Sequence, residues 1–320
     1  MESRTTGVHV RLLAVLSIST ATLLGAPQAF AQADLQALYE SLQAPFNLQL
    51  AGRPQWDTVD VTIHHVAGGI YQIRGEGGNI GMSVGEDGII LIDDQFAPLS
   101  EKIMAAIRSV SDAPIRFLIN THVHDDHVGG NAIFAEMGAT IIAHDRVRIR
   151  MMEGIRGNPP LAREAWPVVT FSDPISLHFN GEEVRIFPVP PAHTDGDIYV
   201  HFTGSNVLHL GDAFRTTGYP NIDTGNGGTY QGTLDALQIA IDLAGPDTLL
   251  IPGHGVVSKR EAAIELRDIA VEVHGRVAAL LAQGMTYEEI IAAKPTIDLD
   301  PRWGSRLDRF LPGIYLDLTD

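Results

Sequence analysis

The sequence predicts an α/β protein whose sheets are covered by helices on their outer faces. Two patterns carry that expectation. Short apolar segments separated by glycine-rich turns fill the chain up to residue 92, and from residue 100 strand and helix patterns alternate. With 45% hydrophobic and 19% charged residues in 320, the chain has the apolar content of a folded globular protein, which excludes a disordered one.

Taken in order, a short helix is expected near Asp34–Leu42. Strands follow at Val59–Val66, Ile70–Arg74, Ile80–Val84 and Ile89–Ile92. The turns between them contain Gly68-Gly69, Gly77-Gly78 and Asp87-Gly88. The helix Ser100–Val110 leads to the strand Ile115–Asn120, then to a helix near Gly130–Met137 and a strand at Ala139–Ala143. Later strands are expected at Val184–Pro188, Ile198–Phe202, Val207–Leu210 and Thr248–Ile251. Helices are expected at Gly232–Ala244, at Lys259–Leu281 and after Thr286. No internal repeat or low-complexity linker divides the chain.

The N-terminus reads as a secretory signal. Arg4 and Arg11 precede the apolar run Leu12–Leu24, and Ala29-Phe30-Ala31 forms a small-x-small cleavage pattern. Residues 1–31 are therefore expected to be removed, leaving residues 32–320 as one domain in the periplasm, exported by the general secretory route. The catalytic core lies at about residues 60–260, and the C-terminal helices at 259–320. The apolar run is short for a membrane anchor. A net charge of −17 disfavours nucleic acid and anionic membrane surfaces as partners, because nothing neutralises phosphate, and says little about a small substrate, since bound metal can make an acidic pocket locally positive. With no cysteine in the chain, any metal site must be built from His, Asp or Glu.

The strand Ile115–Asn120 runs directly into Thr121-His122-Val123-His124-Asp125-Asp126-His127-Val128-Gly129-Gly130. His122, His124, Asp126 and His127 cannot share one side of a strand or of a helix, but on a turn between the two they converge. Crowded imidazoles repel when protonated, whereas around Zn²⁺ they are ligands. Three later strand ends each carry a candidate of the same type: His193 after Pro190-Pro191-Ala192, Asp212 after Leu210-Gly211, and His254 after Pro252-Gly253. Of the other histidines, His64, His65, His144, His178, His201, His209 and His274 read as structural; Trp166 and Tyr219 could line the pocket but read as core.

With its His-x-His-x-Asp-His motif and the downstream His, Gly-Asp and Gly-His elements, the chain resembles the metallo-β-lactamase superfamily over about residues 60–260. The resemblance implies an αββα sandwich of two mixed sheets with two zinc ions at its edge. One ion would be held by His122, His124 and His193, and the other by Asp126, His127 and His254, with Asp212 between them. It also implies that Asp93, after the strand Ile89–Ile92, orients a ligand, a role that the adjacent Asp94 disputes. Arg215 falls where the β-lactamases keep a cation for the substrate carboxylate. The chain departs from the β-lactamases most like it around His193-Thr194, which have a cysteine where Asp212 stands.

The expected activity is hydrolysis by a hydroxide that the two metals share, with Asp126 orienting it or passing its proton. A cyclic amide, the β-lactam ring, is the favoured substrate. A lactone or thioester hydrolase is one alternative, and a redox enzyme with a single iron is another.

Overall fold

A computed structural model describes residues 55–155 and 159–319. The expected signal at residues 1–31 and the helix at Asp34–Leu42 lie outside them. The described chain opens with four strands, β1 (Thr62–Ala67), β2 (Ile70–Arg74), β3 (Ile80–Gly85) and β4 (Gly88–Ile92), and then α1 (Ser100–Arg108). Next come β5 (Ile115–Asn120), the short α2 (Asp125–Val128), α3 (Asn131–Glu136), β6 (Thr140–His144) and α4 (Asp145–Glu153). The strands β7 (Val169–Phe171), β8 (Ile175–Phe179), β9 (Glu182–Pro188), β10 (Ile198–Phe202) and β11 (Val207–His209) follow. The chain closes with α5 (Tyr230–Leu243), β12 (Leu249–Ile251), α6 (Arg260–Leu281), α7 (Tyr287–Ala292), α8 (Asp300–Trp303) and α9 (Leu311–Thr319).

Strands β1 to β7 form one sheet in sequence order, antiparallel as far as β4 and parallel from there on. The second sheet runs β12-β11-β10-β9-β8, with only β11 and β12 parallel. Every residue of β4 is buried, which is why its sequence is a run of isoleucine and leucine instead of an alternation. Ile90, Ile92, Ile119 and Ile142 of the first sheet pack against Val184, Ile186, Val200 and Val207 of the second. The outer face of the first sheet is covered by Ile103 and Ile107 of α1 and Phe134 of α3. Leu237 and Ile241 of α5 and Leu266 and Val273 of α6 belong to the core on the outer side of the second. Two mixed sheets face to face with helices outside are the sandwich that the resemblance implies.

The expected elements are present with small shifts in their ends. The first strand starts at Thr62 and not at Val59, because the residues before it include a short 3-10 turn at Trp56–Thr58 whose carbonyls hold Lys102. The helix α4 and the strands β7 and β8 escape sequence reading. Arg-rich α4 buries only Val147 and Met151, too sparse an apolar repeat to register, and β7 has three residues. None of the helices among the described residues is long and apolar enough to cross a membrane.

Candidate metal centre

The first sheet delivers its candidates through one turn. His124 stands at the N-cap position of α2 in an extended backbone, with no side-chain cap, so the chain turns immediately after β5 and brings His122 and His124 toward the same point. His122, His124 and His193 then stand with their ring nitrogens in mutual reach. His122 Nε2 is 3.1 Å from His124 Nδ1, which is 2.7 Å from His193 Nε2. The outer nitrogen of each ring faces a partner: Thr121 Oγ1 at 3.0 Å from His122 Nδ1, Asp223 Oδ2 at 2.6 Å from His124 Nε2, and the Asn221 carbonyl at 2.6 Å from His193 Nδ1. Because Thr121 Oγ1 gives its own proton to Asp93, and a carboxylate and a carbonyl only accept, all three rings carry their proton outward. Three inward ring nitrogens therefore converge in a buried space, with contacts of 2.7 and 3.1 Å between them, the donor type and spacing that suit a cation.

A second group lies beside it. His127 Nε2 is 3.8 Å from Asp126 Oδ2, and His254 Nε2 is 3.2 Å from the same oxygen. Asp212 stands between the groups. Its Oδ1 is 3.2 Å from His127 Nε2 and 3.3 Å from His254 Nε2, while its Oδ2 is 3.6 Å from His193 Nε2. His127 Nε2 and Asp212 Oδ1 are buried without a well-formed hydrogen bond, although they face each other. Both His122, His124, His193 and Asp126, His127, His254 have the donor types and spacing to hold a metal ion, as does the shared set His122, His127, Asp212. His122, His127, His193 and Asp212 are buried, whereas Asp126 and His254 keep about a fifth of their side chains exposed. The mouth of the site is on the Asp126–His254 side.

Asp93 accepts from the Thr121 backbone N–H and from its hydroxyl, both at 2.7 Å, and its Oδ2 meets His127 Nδ1 at 2.7 Å. That aims His127 Nε2 at Asp212. Asp93 reaches this position through a left-handed backbone (φ 65°) at the end of β4. Asp94 accepts instead from the Gly130 N–H, which fixes the turn before α3. The geometry thus assigns His127 to Asp93 and not to Asp94.

The start of β3 clamps the His254 turn. Asn79 Nδ2 donates to the carbonyls of Pro252 and Gly255, and the Asn79 N–H to that of Gly253. Two glycines are required by space here. A Cβ on Gly78 would overlap the His127 imidazole, and one on Gly253 would overlap the Asp212 carboxylate. The Arg215 backbone pairs with His254, and the side-chain Nε is buried without a partner. Asn221 and Asp223 were not legible as site residues, because the loop Tyr219–Gly228 has no period and its Asp reads as a turn former.

Burial pushes His122 well below the ordinary imidazole range, with His127, His193 and His124 adding to it. Burial also lowers His193, against the opposing pull of Asp212. In the second group burial opposes charge, but Asp212 and Asp126 outweigh it at His254 and raise its pKa to about 9. A folded value above the ordinary 6.5 means that this proton stabilises the metal-free fold fully below about pH 6.5. Its contribution disappears as pH climbs through about 9. A cation must displace the same proton, so apparent zinc affinity is expected to rise from pH 6.5 to 9. Competition with a chromophoric chelator at three pH values measures it; a flat profile would show that His254 takes no part.

A two-sheet sandwich that brings buried His and Asp side chains from both sheets to one edge defines a metalloenzyme scaffold. Residues 73–254 match the metallo-beta-lactamase superfamily, and the chain belongs to it. Members of that superfamily are metal-dependent hydrolases. The chain is similar to the linear primary-alkylsulfatase of a Pseudomonas strain, at 24% identity over 258 residues, 64% of this chain and 47% of that protein. It is also similar to the hydroxyacylglutathione hydrolase of Gloeobacter violaceus, at 28% identity over 157 residues, 47% of this chain and 58% of that one. The chain thus spans about half the length of these relatives. Among solved structures, a metallo-beta-lactamase from Pontibacter korlensis superposes with a TM-score of 0.57 at 16% identity, covering 66% of this chain and 98% of that one. A double mutant of the sec-alkyl sulfatase PisA1 gives 0.62 at 18% identity, covering 81% of this chain and 50% of that one. These two likenesses show the fold.

Proposed function

We propose that the chain is a two-zinc hydrolase that cleaves an acyl bond, with a thioester as the first substrate class. The observation that supports it is the pair of His and Asp donor groups joined by Asp212, whose ring nitrogens and carboxylate oxygens converge at metal-binding spacing. His122, His124 and His193 would hold one ion, Asp126, His127 and His254 the other, and Asp212 would contact both. Bound zinc supplies Lewis acidity and a nucleophilic water at neutral pH.

The protein's own groups do the rest. Asp126 is ionised, since His127 and His254 outweigh burial and hold its pKa far below the usual carboxylate range. Being partly exposed, it can take the proton of the attacking water and pass it to the leaving sulfur. The water oxygen bonds to the acyl carbon, the carbon–sulfur bond breaks, and a carboxylic acid and a thiol leave. Asp212 in place of a thiolate gives the second group harder, all-nitrogen-and-oxygen ligation, and its imidazoles suit zinc. The hydroxyacylglutathione hydrolases among its relatives support the thioester class.

A β-lactam ring is the second reading, favoured by Arg215, whose backbone pairs with that of His254 and whose cation would be available for a substrate carboxylate. A single-iron redox enzyme fits less well, because the donors form two groups instead of one. Elemental analysis of protein purified without chelator should find two zinc ions per chain, and EDTA should abolish turnover of an acyl thioester. A stoichiometry fixed at one after reconstitution overturns the two-zinc assignment. Rapid cleavage of a chromogenic cephalosporin with no thioester cleavage would replace the first substrate class with the second.

A further inference from the structure

One arginine outside the metal centre ties together the two segments that hold the rings of its first group. Arg150 lies in the last turn of α4, with 21% of its side chain exposed. Its guanidinium is shared between two partners. Nε donates to Asp195 Oδ1 at 2.6 Å and Nη2 to Asp195 Oδ2 at 2.8 Å, while Nη1 donates to Asn226 Oδ1 at 3.0 Å. A planar fork with fixed donor directions can serve a carboxylate and an amide at once. Arg146 also donates to Asp195 Oδ2, at 2.9 Å and from a half-exposed side chain. Burial works to raise the Asp195 pKa, but the two arginines outweigh it and hold the carboxyl below its usual range. Asp195 therefore keeps a cation when Arg150 is removed.

Both partners of Arg150 lead to the metal centre. Asp195 is two residues past His193, and its N–H donates to the Asn226 carbonyl at 2.9 Å. Asn226 is 2% exposed. Because its Oδ1 faces a guanidinium that only donates, its Nδ2 is turned to Asp223 and donates to Oδ2 at 2.7 Å. That same oxygen lies 2.6 Å from His124 Nε2. The Asn226 N–H donates to Asp223 Oδ1 at 3.2 Å, and the Asp223 N–H to the His193 carbonyl at 2.9 Å. One asparagine thus holds both oxygens of the carboxylate that meets His124, and Arg150 holds that asparagine.

We propose that Arg150 and Asn226 are positioning residues for the first metal, fixing the His124 ring through Asp223 so that Nδ1 stays aimed at the point where His122 and His193 converge. Neither residue touches metal or substrate. The proposal rests on the metal-dependent reading above, so its test includes metal-free protein.

Competition with a chromophoric chelator on full-length protein measures zinc affinity. Asn226→Ala and Arg150→Met should each weaken zinc about tenfold, the lower end of what the loss of an orienting partner costs. Arg146→Ala, which removes a cation from the same Asp195, should stay within about twofold. Because Arg150 and Asn226 act in series, the double variant should lose no more than about twice the larger single loss. Independent structural damage would instead multiply the two losses to about a hundredfold. Zinc affinity unmoved by either single change, a multiplied loss in the double variant, or an Arg146→Ala loss equal to that of Arg150→Met overturns the proposal. In metal-free protein, proton NMR follows the His124 Nε2–H, identified by its disappearance in His124→Gln. Both single variants should shift or broaden that resonance, and a resonance unmoved in both overturns the proposal. If the wild type binds no zinc while the resonance still moves, the metal-dependent reading fails and the positioning of His124 stands.

Discussion

Asp212→Ala is expected to lower kcat by about 10²–10³-fold or more, the order seen when one preorganised electrostatic contact is lost from a site. Its two oxygens lie within 3.2–3.6 Å of His127, His254 and His193, so its loss uncouples both donor groups at once. The fold should suffer as well. Asp212 holds its charge because His254 and His127 outweigh the burial that would raise its pKa. Removing it strands those imidazoles in a buried space, which in metal-free protein costs on the order of 3–5 kcal/mol. Arg215→Ala provides the contrast. Its side chain holds no donor of either group, so the change should leave kcat nearly intact and raise KM for substrates carrying a carboxylate. Steady-state kinetics and melting curves of the two variants separate the cases; equally small effects of both would mean that Asp212 touches no metal.

Asp93→Ala should be the second severe change, without touching substrate at all. One carboxylate serves the Thr121 N–H, the Thr121 hydroxyl and His127 Nδ1, all at 2.7 Å and all buried. Their loss frees the His127 ring to rotate and leaves two buried donors unpaired, at about 1–3 kcal/mol each. Zinc affinity should fall about 10–100-fold, the usual consequence of losing a group that orients a metal-binding histidine. Asp94→Ala should weaken zinc far less. Burial raises the Asp94 pKa well above its usual value, and its Oδ1 serves only the Gly130 N–H. Chelator competition on both variants decides it; similar zinc affinities would show that the His127–Asp93 contact orients nothing.

Much of this site was legible from residue order alone because each donor sits at the end of an apolar strand. His122 to His127 follow β5, His193 follows β9, Asp212 follows β11 and His254 follows β12. An apolar run ending in a polar residue is a local signal. Asp223, Asn221 and Asn79 are different. Their roles arise from contacts between segments far apart in sequence, such as Asn79 reaching the carbonyls of Pro252 and Gly255. A carbonyl that fixes a tautomer, as Asn221 does for His193, carries no side-chain identity to notice. The choice between Asp93 and Asp94 also needed coordinates, since it turns on a single residue with positive φ. The C-terminal helices were visible as apolar periodicity.

The candidate donors come from both halves of the sandwich, His122, His124, Asp126 and His127 from one sheet and His193, Asp212 and His254 from the other. Neither half alone presents a complete set, so a chain whose sheets have not yet docked offers each metal only part of its donors. Metal uptake then selects the docked state, and each tenfold rise in free zinc above the dissociation constant adds about 1.4 kcal/mol to its stability. If zinc is that metal, the lifetime of this protein should follow the zinc supply around it. Where the ion is scarce, the joint between the sheets is held by apolar packing, the Asn79 clamp and the Asp–His contacts at its edge. That joint is where unfolding and proteolysis should begin.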